Sequence, residues 1–402
     1  MERTILHVDI NNCYASIECL HNPSLAGKPV AVGGSVEERH GIILAKNYQA
    51  RDFGVKVGQT LWEAREKCPE LIVLPPNYEL YLKYSQYIRE IFNIYTDMVE
   101  PFGIDEAWLD VSGSRALFGS GCSIAEEIRR RVKSELGVTV SIGVSFNKVF
   151  AKLGSDMKKP DAITILDRSN YKALVWPLPV QDLLYVGSAT KRKLYDKGIR
   201  TIGELAEAGP ERLRQWLGKW GYTLYAFAHG DDISPVAKAG SEKIIKSIGN
   251  STTAPRDIQN PLQAKTVFFS LSESVAARLR EHSLKGSKIQ ISLRRNDLLS
   301  IERQIKLTQP TNLSGEICAA AMTLLEKNYS WERPLRGMGI RITELTGQDY
   351  PHQLNMLGEH IKRAKEISNN GVIGVNIMRA SCDYDKYVQC CVDNGADAII
   401  SG

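Results

Sequence analysis

Apolar residues come in short runs separated by polar breaks, and the spacing of each run predicts an element. Residues 4–9 (TILHVD) form a strand-like run ending on Asp9, and helical spacing starts just after it, over 12–20. A second short strand, Pro29 to Val32, ends in Gly33-Gly34, and residues 42–45 are apolar again. Thr60 is placed to cap a helix over 61–68 that stops at Pro69. Leu80, Leu82, Tyr84, Ile88, Ile91 and Ile94 give helical spacing over 78–96. A hairpin follows, with strands 98–102 and 106–111 joined through Gly103-Ile104-Asp105. Helix 123–136 ends at Gly137, in the usual place for a terminal glycine, and strand 138–144 comes next. Strand, helix, hairpin, helix, strand is the split βαβ pattern of a ferredoxin-like sheet. That sheet lays the end of the first strand beside the hairpin, so Asp9 is expected to face Asp105 and Glu106.

Beyond residue 166 the pattern changes. Residues 167–232 read as short helices broken by Gly187, Gly198, Gly209 and Gly218, and 233–245 form a polar linker with Pro235 and Gly240. Residues 246–346 predict a strand, helix 261–282, strands 288–294 and 299–307, helix 314–327 and strand 336–344, a second α+β unit. The chain then closes with a strand-like segment (371–380), a helix-like one (383–396) and an apolar strand (397–402). A length of 402 residues suits such a multidomain α+β chain.

No run of about 18 apolar residues occurs and the N-terminus has no signal-peptide core, so no membrane association and a cytoplasmic location are expected. The eight cysteines lack any CxxC pair and read as reduced thiols. The net charge of +5 is unevenly spread. Sixteen Lys and Arg against nine Asp and Glu over 243–346 leave that segment at +7, the best candidate for a nucleic-acid footprint.

Phosphoryl transfer to a sugar hydroxyl uses two close divalent cations, and oxygen ligands from Asp and Glu suit Mg²⁺. Asp9, Asp105 and Glu106 offer three such carboxylates. They sit in longer motifs: HVDINNCYASIECL, AKNYQARDFGVKVGQ, VEPFGIDEAWLDVSG and SIGVSFNKVFAKLGSDMKKP. In order and spacing these resemble the signature segments of Y-family DNA polymerases of the DinB type, over about residues 4–346.

The resemblance implies an error-prone translesion polymerase without a proofreading exonuclease, a monomer that adds dNTPs to primer-template DNA. It implies a ferredoxin-like palm with small fingers (1–166, fingers about 20–77), a helical thumb with a helix-hairpin-helix (167–232) and an α+β little finger (246–346). By that likeness Asp9, Asp105, Glu106 and the backbone carbonyl of Ile10 hold two Mg²⁺ ions. Tyr14 is the steric gate against ribonucleotides, with Cys13 beside it where the family often carries an aromatic ring. Tyr48, Arg51 and Lys159 bind the triphosphate, and Ile42, Leu44 and Ala45 roof the base pair. The segment 185–206 resembles a helix-hairpin-helix, with Gly187, Lys191, Arg192 and Lys193 near a phosphate. Lys246, Arg294, Arg295, Arg336 and Arg341 are the little-finger candidates for phosphate contact.

The pentapeptide Gln353-Leu354-Asn355-Met356-Leu357 resembles a sliding-clamp-binding peptide, in which Gln353 would bond at the pocket mouth while Leu354, Met356 and Leu357 fill an apolar groove. Residues 358–402 resemble one βαβ stretch of the flavin-dependent barrels that include nitronate monooxygenases and FabK-type enoyl reductases. Forty-odd residues cannot enclose a flavin, so an appended remnant in the tail (347–402) is expected to add nothing to polymerisation. Two other readings share parts of the pattern. A nucleotide cyclase would carry a GG-[DE]-E-F hairpin, which is missing, and would have no use for the basic unit. A non-catalytic DNA-binding or clamp-associated adaptor would be favoured by a lost carboxylate, and all three are present.

Overall fold

The computed structural model describes residues 2–37, 39, 41–241, 244–347, 352–369, 371–377 and 384–401. The chain divides into two compact units, Met1–Glu242 and Lys243–Gly402.

The first unit opens with β1 (Ile5–Ile10) and α1 (Cys13–His21), followed by β2 (Val30–Gly33), β3 (Ile43–Lys46) and α2 (Tyr48–Asp52). Next come α3 (Leu61–Lys67), β4 (Ile72–Leu74), α4 (Tyr78–Tyr95), β5 (Val99–Pro101), β6 (Glu106–Asp110), α5 (Arg115–Phe118) and α6 (Gly121–Leu136). Thr60 caps α3 in a reciprocal capping box with Glu63, and Gly137 ends α6 in the left-handed conformation, as the sequence predicts. β7 (Val140–Ser145), α7 (Lys148–Met157) and β8 (Ile163–Leu166) complete the main sheet, ordered β5-β6-β1-β7-β8. The first four strands in that order are the ferredoxin-like arrangement; β4, α7 and β8 are elements that apolar spacing does not reveal.

Period-two alternation explains the two faces of β1. Leu6, Val8 and Ile10 enter one core with Ile88 and Phe92 of α4 and Ile124 and Ile128 of α6. Ile5, His7 and Asp9 therefore face the other side, where α7 packs. Its close approach depends on Gly143, opposite His7 in register: a β-carbon there would lie 1.9 Å from the Ala151 carbonyl oxygen. The smaller sheet, ordered β3-β2-β4, packs Ala31 and Ile43 against Ala50, Leu61 and Ala64.

Helices α8 (Tyr171–Val175), α9 (Ser188–Tyr195), α10 (Ile202–Glu207), α11 (Pro210–Leu217) and α12 (Lys219–His229) follow, an all-helical segment as expected. They share a core with Phe146, Val149, Phe150 and Leu153 at the start of α7.

In the second unit β9 (Ser247–Ile258), α13 (Pro261–Glu281), β10 (Leu284–Arg295), β11 (Ser300–Thr311), α14 (Ser314–Asn328) and β12 (Leu335–Gly347) form an antiparallel sheet, ordered β11-β10-β12-β9, with both helices packed on it. Ile289, Ile291 and Leu293 face the helices, so Gln290, Ser292 and Arg294 fall on the opposite face. The tail gives α15 (His352–Ile367), β13 (Gly374–Ile377), α16 (Tyr384–Asp393) and β14 (Ala398–Ser401), with β13 and β14 paired in parallel around buried Ile361 and Cys391. This is the expected strand, helix, strand order; 378–383 lie outside the described residues.

Candidate active site

Antiparallel pairing sets the carboxylates. Asp9 is the register partner of Glu106, and the Ile10 amide donates to the Asp105 carbonyl at 3.0 Å, so the hairpin end lies against the end of β1. A cavity of about 340 Å³ opens there, lined by Asp9, Ile10, Tyr14, Asp105, Glu106 and Lys159 among others. The expected juxtaposition is present.

Cations from α7 and the segment after it meet these carboxylates. Lys159 Nζ is 2.9 Å from Asp9 Oδ2, and Lys152 Nζ is 3.0 Å from Glu106 Oε2 and 3.6 Å from Asp9 Oδ2. Asp156 pairs with both lysines at 3.0 Å. Burial pushes the Asp9 carboxyl up against the pull of Lys159, and burial followed by the Glu106 charge raises Asp105. Burial acts on Glu106 as well, but His7 and Lys152 outweigh it and hold that carboxyl low. His7 is fully buried, with Nε2 3.2 Å from Glu106 and Nδ1 2.8 Å from Ser155 Oγ. Burial depresses its own pKa and favours the neutral ring.

Among the described residues no three His, Cys, Asp or Glu side chains converge on one metal position. Here the Lys152 and Lys159 ammonium groups neutralise the Asp9 and Glu106 carboxylates. Crowded carboxylates that are costly to ionise without a positive neighbour are the donor chemistry that hard cations relieve. The residues fit a metal site.

Tyr14 lines the cavity with its ring stacked on buried Tyr81, centroids 4.2 Å apart, and Tyr81 is fixed by a 2.6 Å hydrogen bond to Glu18. Cys13 is buried, and burial pushes its thiol up. Tyr48 and Arg51 share α2, the guanidinium 6.0 Å from the Tyr48 ring. Asn47 caps that helix: its Oδ1 accepts from the Ala50 and Val30 amides at 3.0 Å, and its Nδ2 donates to the Lys28 carbonyl at 2.8 Å. Leu44, Ala45, Lys46 and Val57 line the cavity, whereas Ile42 stands exposed outside its lining. Sequence reasoning did not single out His7, Lys46, Lys152 or Asp156. Only the position of the last two on a helix facing β1 could have signalled them.

In the helical segment Gly187 is the N-cap of α9, and Lys191 and Lys193 follow on that helix. In the second sheet Arg294 and Arg341 fall on the open face, Arg341 beside Gln290 and Ser292 in a groove of about 410 Å³. Lys246 is exposed just before β9. Arg295, at the end of β10, pairs with Asp297, and Arg336, on β12, sits at the irregularity between Leu335 and Gly337. Gln353, Leu354, Met356 and Leu357 fall on the first turns of α15, and their side chains lie outside what the structure describes.

The family models agree with this layout. The impB/mucB/samB family matches residues 8–156, its C-terminal domain residues 245–356, and the DNA polymerase-iota thumb domain residues 181–232. A Y-family DNA polymerase chimera of Dbh and Dpo4 has the same fold, with a TM-score of 0.76 over 85% of this chain and 98% of the chimera at 23% identity. The chain belongs to the Y-family DNA polymerases, and within them to the DinB, or DNA polymerase IV, type. It is 54% identical to DNA polymerase IV of Acetivibrio thermocellus, across 91% of this chain and 92% of that protein. DNA polymerase IV of Clostridium kluyveri is 40% identical over 89% and 88%, and DNA polymerase IV 1 of Bacillus subtilis 40% over 87% and 84%.

Proposed function

We propose that Asp9, Asp105, Glu106 and the Ile10 carbonyl hold two Mg²⁺ ions for nucleotidyl transfer from a dNTP to a primer 3′ end. Family membership itself makes the chain a translesion DNA polymerase that is metal-dependent and acts on primer-template DNA. The observation that carries the finer reading is the cross-strand pairing of Asp9 with Glu106 in a cavity shared with Tyr14 and Lys159.

When bound, the two ions would lower the pKa of the attacking hydroxyl and neutralise the triphosphate. The chain's own groups do the rest. Lys159 and Arg51 offer donors to phosphate oxygens, Tyr48 adds a hydroxyl, and Lys46, half-buried in the same cavity, supplies a further cation. Release of Lys159 from Asp9 toward the triphosphate would free that carboxylate for its ligand role. Tyr14, braced by Tyr81, blocks the space a 2′-hydroxyl needs. We assign 1–166 to palm and fingers, 167–232 to the thumb and 246–346 to the little finger, joined by 233–245. The peptide 353–357 is assigned to a sliding clamp, the enzyme to a monomer, and its place to the cytoplasm; among the described residues no helix is long and apolar enough to cross a membrane.

Primer extension with Mg²⁺ on an undamaged template tests the site. Asp105→Ala and Glu106→Ala should each abolish incorporation while DNA affinity and melting temperature hold. Extension by both variants at the wild-type rate would remove the metal assignment.

A further inference from the structure

Residues 158–162 join α7 to β8 and carry Lys159, whose Nζ reaches Asp9 and Asp156. Two positions further on, Asp161 turns the chain with φ 52°, a left-handed conformation that costs an L residue energy unless its surroundings hold it. Three side chains hold it. The Asp161 amide donates to Asn11 Oδ1 at 2.9 Å, the carboxylate accepts from Arg129 and Lys133 of α6 at 2.7 Å each, and the carbonyl accepts from Arg129 at 3.3 Å. Asn11 is 1% exposed; its Oδ1 also accepts from Thr139 Oγ1 at 3.0 Å and its Nδ2 donates to Ser141 Oγ at 2.9 Å. One residue just past Asp9 therefore ties the end of β1 both to β7 and to the loop of Lys159. Asn11, Arg129, Lys133 and Asp161 all stand outside the lining of the catalytic cavity.

We propose that Arg129 and Asp161, with Asn11, are positioning residues for Lys159: they fix its loop so that the ammonium stands at Asp9, in reach of the dNTP triphosphate. This role rests on the reading that Lys159 meets the triphosphate. A lysine is a point charge on a flexible stem, so where its loop is anchored decides which anion it meets and how much ordering the contact costs. Arg129 does more of the anchoring than Lys133. Its side chain is 25% exposed against 58% for Lys133, and it grips both the carboxylate and the carbonyl of Asp161. A single exposed ion pair contributes little.

The test measures the dissociation constant of the complementary dNTP from the full chain on a dideoxy-terminated primer-template with Mg²⁺, where no turnover occurs. Arg129→Ala and Asp161→Asn should each weaken dNTP binding about fivefold, and Lys159→Ala should weaken it more. The double variant Lys159→Ala/Arg129→Ala should bind no more weakly than Lys159→Ala alone, because a residue that acts through Lys159 has nothing left to position. A general loss of structure would add to the Lys159 effect instead. In primer extension Arg129→Ala should raise KM for dNTP and keep kcat within about twofold of wild type, while melting temperature and primer-template affinity hold. Where Arg129→Ala melts below the assay temperature, Asp161→Asn, which keeps the size of the residue and tolerates the left-handed turn, decides by the same double-variant comparison. Additive losses in the double variant, or a fall in kcat at constant KM, overturn the proposal. Wild-type dNTP affinity in Arg129→Ala beside a loss in Lys159→Ala defeats the positioning role alone; wild-type affinity in Lys159→Ala defeats the triphosphate reading, and the positioning role with it.

Discussion

As the proposed steric gate, Tyr14 would act through the bulk of its ring, and that ring is stacked on Tyr81 with centroids 4.2 Å apart. Tyr14→Ala should therefore raise the ratio of rNTP to dNTP incorporation, measured by single-nucleotide extension with each substrate. An unchanged ratio would place the gate elsewhere. Lys46 lies in the same cavity on the strand that carries Leu44 and Ala45. Lys46→Ala should raise KM for dNTP with little change in kcat, because a cation that meets the triphosphate before and during reaction contributes uniform binding. A fall in kcat at constant KM would contradict that role. Tyr14 was legible in the sequence because it stands in a long motif beside Asp9. Lys46 was not, since a lysine on a short strand looks the same whether its side chain meets solvent or a pocket.

At the scale of elements, two small features position large ones. Asn47 caps α2 and ties β2 to it through three hydrogen bonds, and it is buried. Asn47→Ala should cost about 2 kcal/mol or more in denaturant unfolding, from the lost cap and the orphaned buried amides. It should also raise KM for dNTP, since Tyr48 and Arg51 ride on that helix; stability lost without a change in KM would uncouple the helix from the nucleotide. Gly143 lets α7 approach β7. A methyl group there would collide with the Ala151 carbonyl and the Ser155 amide, backbone atoms that cannot swing aside. Gly143→Ala should destabilise the unit by about 3 kcal/mol or more, and native-like melting of that variant would refute the close packing. Neither device follows from apolar periodicity, which reports which face is buried and not how near its neighbour comes.

For the whole molecule, the excess of basic residues over 243–346 becomes an open polar sheet face that bears Arg294 and Arg341. DNA affinity should fall steeply with salt, and Arg341→Ala should make the log–log slope shallower by about 1 while lowering affinity alike for unrelated sequences. A slope unaffected by that change would take Arg341 off the phosphate backbone. The tail of α15, β13, α16 and β14 has its own small core around Ile361 and Cys391. Truncation after Leu357 should leave primer extension and clamp binding at wild-type levels, and loss of extension would show that the tail is not a mere appendage. Deletion of 353–357 should abolish clamp-dependent processivity but not distributive synthesis.

The sequence by itself determined the order and type of most elements, the basic second unit and the three carboxylates. Period, capping and turn chemistry are local, and the motifs around Asp9 and Asp105 are long. It also determined that Asp9 would meet the hairpin, because a split βαβ pattern leaves those strands adjacent. Only the tertiary structure decided what surrounds them. Which face of β1 the helix α7 covers brings Lys152 and Ser155 to Asp9, Glu106 and His7, although 148 residues of chain separate Ser155 from His7. The same is true of Tyr81 under Tyr14 and of Asn11 beside Asp161. Such partners are chosen by packing between distant elements, and that choice is not encoded in the spacing of either element alone.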